Sequence, residues 1–82
     1  MAVKKTYQGK KYKLSLVEYP KTRRYEIHGF DNEDGVWICN TKTKLRTYDY
    51  YAANEQFMSE VRELERDGVE FSEVYLGGHN WL

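Results

Sequence analysis

The stretch from Asp49 to Gly68 carries the only clear helical period in the chain. Its apolar residues Tyr50, Ala53, Phe57, Val61 and Leu64 recur at intervals of three and four, which places them in one stripe along one side of a helix. Glu55, Gln56, Ser59, Arg62, Glu63 and Arg66 fall largely on the other sides. Asp49 suits the N-cap, because its carboxylate can accept the free backbone N–H groups of the first turn. Gly68 is the expected stop. The helix therefore runs from about Tyr50 to Asp67. A helix with one apolar stripe can cover one face of a sheet and no more, so any β-structure here has a second face that needs its own account.

The rest of the chain alternates. Lys11 to Tyr19 (KYKLSLVEY) sends Tyr12, Leu14 and Leu16 one way and Lys13, Ser15, Val17 and Tyr19 the other. After the turn at Pro20, RRYEIHGF from Arg23 to Phe30 alternates again. DNEDG, Asp31 to Gly35, is a dense turn signal, and VWICNT, Val36 to Thr41, is a β-branched and aromatic third strand. Short turns imply an antiparallel meander. Pairing Tyr19 with Arg24 sets Leu16 opposite Ile27. Pairing Gly29 with Val36 sets Ile27 opposite Ile38 and His28 opposite Trp37. The face expected under the helix is then Leu14, Leu16, Tyr25, Ile27, Val36 and Ile38. The other holds Lys13, Val17, Arg24, Glu26, His28, Phe30, Trp37 and Cys39. Val69 to Leu76 reads as a further strand after the helix, and Val3 to Tyr7 as a short N-terminal one. The expected fold is α+β: a three-stranded antiparallel meander, one helix packed on one face and an additional C-terminal strand.

Tyr48, Tyr50 and Tyr51 crowd the start of the helix. Tyr50 belongs to the buried stripe. Tyr48 is placed to staple against Ala53. Tyr51 stands one step off the stripe and is the contact candidate of the three.

With 82 residues the chain makes a single domain, 1–82, able to hide only roughly 60–65% of its unfolded surface. Cys39 is the one cysteine, which suits a reducing, cytoplasmic setting, and no apolar run approaches a membrane span. The net charge is zero but unevenly laid out: +7 over residues 1–24, −1 over 25–48 and −6 over 49–82. Either the fold keeps two oppositely charged faces apart, or the charges neutralise one another. The size and lack of motifs are in the style of small accessory proteins of phages and mobile elements.

Motifs for chemistry are missing. His28, Cys39 and His79 have no metal-ligand spacing, so no metal or other cofactor is expected. A Cys39–His28 pair on a flat sheet lacks a group to stabilise an oxyanion, and a strand cysteine is more simply a packing residue. The acids of DNEDG lack the spacing of a calcium loop. The expectation is a protein that is not an enzyme.

The second sheet face is the better lead. Tyr19, Phe30 and Trp37 lie there among Lys13 and Arg24, and with Tyr51 they form the candidate binding set. Apolar surface of this kind marks interaction sites. The competing reading folds Val3 and Tyr7, or Trp81 and Leu82, over it. If the face is open, it suits a protein partner or a second copy of the chain as an adaptor, inhibitor or homodimer. The alternative is nucleic acid, bound by the basic residues of the first third. Arg24 to about Asp67, with KLRTYDYYAA running from the last strand into the helix, loosely resembles the three-strand-plus-helix DNA-binding domains of the AP2 and integrase arm-binding type. That resemblance implies a sheet in the major groove, with Lys13, Arg24 and Lys42 to Arg46 as contacts. The chain departs from it in its strand after the helix and its neutral charge.

Overall fold

In the computed structural model, which describes residues 1–74, five strands and one helix follow in the order β1 (Ala2–Gln8), β2 (Tyr12–Tyr19), β3 (Arg24–Glu33), β4 (Val36–Lys44), α1 (Tyr50–Arg66) and β5 (Ser72–Val74). The α+β class stands. The strand count does not: the meander has four strands, and β5 pairs antiparallel with β1 to give one sheet in the order β4-β3-β2-β1-β5. The N-terminal segment is thus not a lid but an inner strand, hydrogen-bonded on both sides. The remainder of the strand expected to run to Leu76, and the tail with His79, Trp81 and Leu82, lie outside the described residues.

The helix forms as its caps dictate. Asp49 sits in extended conformation and accepts from the N–H groups of Tyr51 (3.4 Å) and Ala52 (3.3 Å). At the other end Gly68 takes φ +96°. There the N–H of Val69 reaches the carbonyl of Leu64 at 2.9 Å, and that of Gly68 reaches Glu65 at 3.1 Å, the paired closure of a Schellman motif. Tyr48 is exposed, so no staple forms at the N-terminus.

The stripe does what its spacing requires. Ala53, Phe57 and Val61 are fully buried against Leu14, Leu16, Tyr25 and Ile27, with Tyr7, Tyr50, Leu64 and Phe71 packed around them. Tyr7 meets Phe57 at 5.9 Å between ring centres, and Tyr25 meets Tyr50 at 6.2 Å. The first hairpin has the expected register, Tyr19 opposite Arg24 and Leu16 opposite Ile27.

The second hairpin does not. Asp34 and Gly35 both adopt positive φ, 53° and 86°. This two-residue turn has the twist an antiparallel pair prefers. The Asn32 side chain fastens it by accepting from the Gly35 N–H at 2.9 Å. The strand therefore continues through Asp31, Asn32 and Glu33, where a broad turn was expected. Val36 pairs with Glu33, Trp37 with Asn32, Ile38 with Asp31 and Cys39 with Phe30. A register shift between Gly29 and Phe30 then sets Thr41 opposite Gly29 and Lys42 opposite His28. Val36 and Ile38 are carried beyond the reach of α1 and stay exposed, at 59% and 45%. They are not core residues.

Tyr25 links the core to the charged groups at the edge of the helix–sheet interface. Its hydroxyl donates to Glu18 Oε2 at 2.9 Å, and Lys4 lies 3.6 Å from the other oxygen of Glu18. Burial first, then the hydrogen bond and charge of Glu18, push the Tyr25 pKa up to about 12. Since an unfolded tyrosine titrates near ~10, this stabilisation is intact below that pH and is lost as pH rises towards the folded value. The urea midpoint is expected to fall above pH ~10, and Tyr25→Phe is expected to flatten that fall while lowering the midpoint at neutral pH. An equal alkaline decline in both proteins would remove Tyr25 as its source.

Candidate binding face

The side of the sheet away from α1 is built by the alternation of its strands. Counting from the paired positions, β2 sends out Lys13, Ser15, Val17 and Tyr19; β3 sends out Arg24, Glu26, His28, Phe30 and Asn32; β4 sends out Trp37, Cys39, Lys42 and Lys44. β1 adds Val3, Thr6 and Gln8, and β5 adds Ser72 and Val74. Five of the six candidate residues, Lys13, Tyr19, Arg24, Phe30 and Trp37, share this face. The sixth, Tyr51, is 78% exposed but stands on α1, on the opposite layer, and does not join them.

The face has two parts. Its middle is buried. Val17, Thr6, Ser15, Glu26 and His28 all have little exposure, so Val17 is no part of an open apolar patch. The polar groups there satisfy one another: Thr6 Oγ1 lies 3.0 Å from Ser15 Oγ, and Glu26 Oε1 takes both His28 Nε2 at 3.0 Å and the Tyr19 hydroxyl at 3.3 Å. Burial, followed by the charge of Glu26, raises the Tyr19 pKa. That pairing answers the cost of placing polar groups out of water. The competing reading, in which Trp81 and Leu82 cover this region, falls on residues outside the described ones.

Towards β4 the face opens. The ammonium of Lys13 lies 4.4 Å from the centre of the Phe30 ring and 5.0 Å from that of Trp37, so one cation joins the two half-buried rings into a single patch. Burial lowers the Lys13 pKa. Next to the patch stand Cys39 and Lys42, and further along the strands come Lys44 and Arg24, all exposed. Cys39 lies opposite Phe30 and its thiol donates to the Thr41 carbonyl at 3.4 Å, while His28 is engaged with Glu26. The corrected register leaves the two residues two positions apart on the same face, as before, but each side chain is turned to another partner, His28 to Glu26 and Cys39 to the Thr41 carbonyl. Among the described residues no three His, Cys, Asp or Glu side chains are grouped to hold a metal ion.

Charge segregates across the sheet. Among the described residues Glu26 is the one carboxylate on the outer face, and it is buried. Lys13, Arg24, Lys42 and Lys44 make no ion pair among the described residues. The acidic third lies mostly on α1 and its C-terminal connection. The basic first third, however, is not one footprint. Lys5 turns inward and donates to Asn54 Oδ1 at 3.1 Å on α1, and Lys4 pairs with Glu18. Lys10 and Lys11 fall at the β1–β2 turn, and Lys21 and Arg23 at the opposite end of β2. Only Lys13 and Arg24 of that third reach the outer face of the sheet. Sequence reasoning reached Lys42 and Lys44 only through the resemblance to sheet-type DNA-binding domains, because their face depends on the shifted pairing of β4.

No family model, curated protein or solved structure matches the chain. The geometry of the face is therefore the guide to its function. No helix among the described residues is long and apolar enough to cross a membrane.

Proposed function

We propose that this chain is a non-catalytic binding module that takes an anionic partner on the β4 side of its outer sheet face. The observation that carries the reading is the charge pattern: Lys13 enters the aromatic patch, Lys42, Lys44 and Arg24 follow along the same face, and the one carboxylate there among the described residues is buried against His28. A surface with one sign of charge concentrates ligands of the other. An acidic segment of a protein partner meets this requirement, and so does a nucleic-acid strand. Self-association through the same face is disfavoured, since a face-to-face pair would set like charges against each other.

Retention on a sulfated polyanion matrix tests the reading. A protein of zero net charge is held by such a matrix only if its positive charge is gathered in one place. The expected result is retention at low salt that is released by added salt, and loss of retention in the triple variant Arg24→Gln/Lys42→Gln/Lys44→Gln. Flow-through of the unaltered protein would sink the anionic-partner reading. Equal retention of the triple variant would move the site elsewhere.

A further inference from the structure

We propose that the anionic partner is single-stranded nucleic acid, with bases stacked on Trp37 and Phe30 and phosphates paired with Lys42, Lys44 and Arg24. The proposal rests on the reading of the outer face just given and names its ligand class.

Three features of the face separate a single strand from other polyanions. The first is the mixture of rings and cations. Each nucleotide carries one aromatic face and one negative charge, and this face offers both kinds of contact: Phe30 and Trp37 joined through Lys13, with Lys42 at the next outward position of β4 after Cys39 and Lys44 beyond it. Base stacking on aromatic side chains combined with a basic track is the general mode of sequence-tolerant single-strand binding. An acidic peptide would satisfy the cations but set carboxylates beside the rings, where they gain nothing and lose hydration.

The second feature is the line of β4. Its outward positions run Trp37, Cys39, Lys42, Lys44, from the aromatic end to the basic end of one strand. At the usual rise this is a track of about 23 Å. β4 is the terminal strand of the sheet and is exposed along nearly all its length. A polymer can therefore lie along it.

The third feature excludes a duplex as the preferred form. Five strands at the usual spacing make a sheet roughly 19 Å across, wider than the ~12 Å major groove of B-DNA. Phe30 and Lys13 stand on β3 and β2, inside the edge rather than at a tip. In a duplex the base faces are hidden in the stack, so rings in that position would meet only the sugar-phosphate backbone.

The test is anisotropy of short labelled homopolymers of thymidylate and of uridylate, a duplex of equal length and labelled polyglutamate, each titrated in salt with the full chain. Single strands are expected to bind at least tenfold tighter than either the duplex or polyglutamate. Comparing thymidylate with uridylate tells DNA from RNA. Trp37→Ala is expected to weaken single-strand binding roughly tenfold to a hundredfold, with Trp37→Phe retaining most of it. Lys42→Gln/Lys44→Gln is expected to lower the slope of log K against log salt by about 1.4, two phosphates at ~0.7 each. Circular dichroism of each variant confirms that the fold is kept. A preference for the duplex or for polyglutamate would overturn the single-strand assignment and leave the anionic face standing. Salt-independent or absent binding to every polyanion would overturn both. Unchanged single-strand affinity in folded Trp37→Ala would overturn the stacking assignment.

Discussion

Phe57→Ala is expected to leave much of the protein unfolded at room temperature. Phe57 is fully buried at the centre of the interface between α1 and the sheet, in contact with Tyr7 and the Leu14–Leu16–Ile27 surface. Truncating a buried phenylalanine costs about 3–5 kcal/mol, from lost transfer energy and from the cavity left behind. A domain of this size has a total stability on the order of 4–12 kcal/mol. The loss is therefore comparable with the whole at the lower end. Among the described residues one helix covers the inner face, with no second layer there to close over the cavity. Urea titration followed by far-ultraviolet circular dichroism reads the effect. Tyr51→Ala, at a 78% exposed site of the same helix, serves as the control and is expected to shift the midpoint little. If the two variants unfold at similar urea concentrations, the seating of α1 on this sheet is wrong.

Gly9→Ala is expected to detach β5 without unfolding the rest. Gly9 lies in the β1–β2 turn, where its N–H donates to the Tyr12 carbonyl at 2.8 Å. A methyl group placed on its Cα would run into the backbone carbonyl of Glu70, closer than side chains approach backbone in folded proteins. The obstruction is main chain, so it cannot be relieved by turning a side chain. Either the turn or the segment leading into β5 must move. β5 is the weaker partner, with only Ser72, Glu73 and Val74 paired to Gln8, Tyr7 and Thr6. Overpacking of this kind costs roughly 1–3 kcal/mol, which a three-residue pairing cannot absorb. Amide exchange is the direct measurement. Protection of the β1–β5 hydrogen bonds should fall while that of β2 and β3 persists. Retained protection in β5 would mean that the approach of Glu70 to Gly9 is looser than the structure has it. Because β5 lies at the far edge from Trp37, the same variant should also leave polyanion binding intact.

The helix and the first hairpin are legible in the sequence because their signals are local. Asp49, the three-four spacing of Tyr50, Ala53, Phe57, Val61 and Leu64, and Gly68 lie within one stretch of backbone and report on it directly. The pairing of Leu16 with Ile27 follows from a short loop between two alternating runs. The β3–β4 register failed for an equally physical reason. DNEDG holds several turn residues, and composition does not say which pair bends. The turn formed at Asp34-Gly35, where both residues take positive φ, and that choice took Val36 and Ile38 out of the core.

The sequence by itself determined the α+β class, the helix and its buried stripe, and the sharing of one sheet face by Lys13, Tyr19, Arg24, Phe30 and Trp37, because a period of two or of 3.6 residues is a property of the local chain. Tertiary structure alone decided that β1 would be an inner strand and β5 its partner, that Glu26 and His28 would be buried together, and that Lys42 and Lys44 would share the face of the aromatic patch. Those outcomes depend on pairing between distant segments, where a shift of one residue turns every following side chain to the other face.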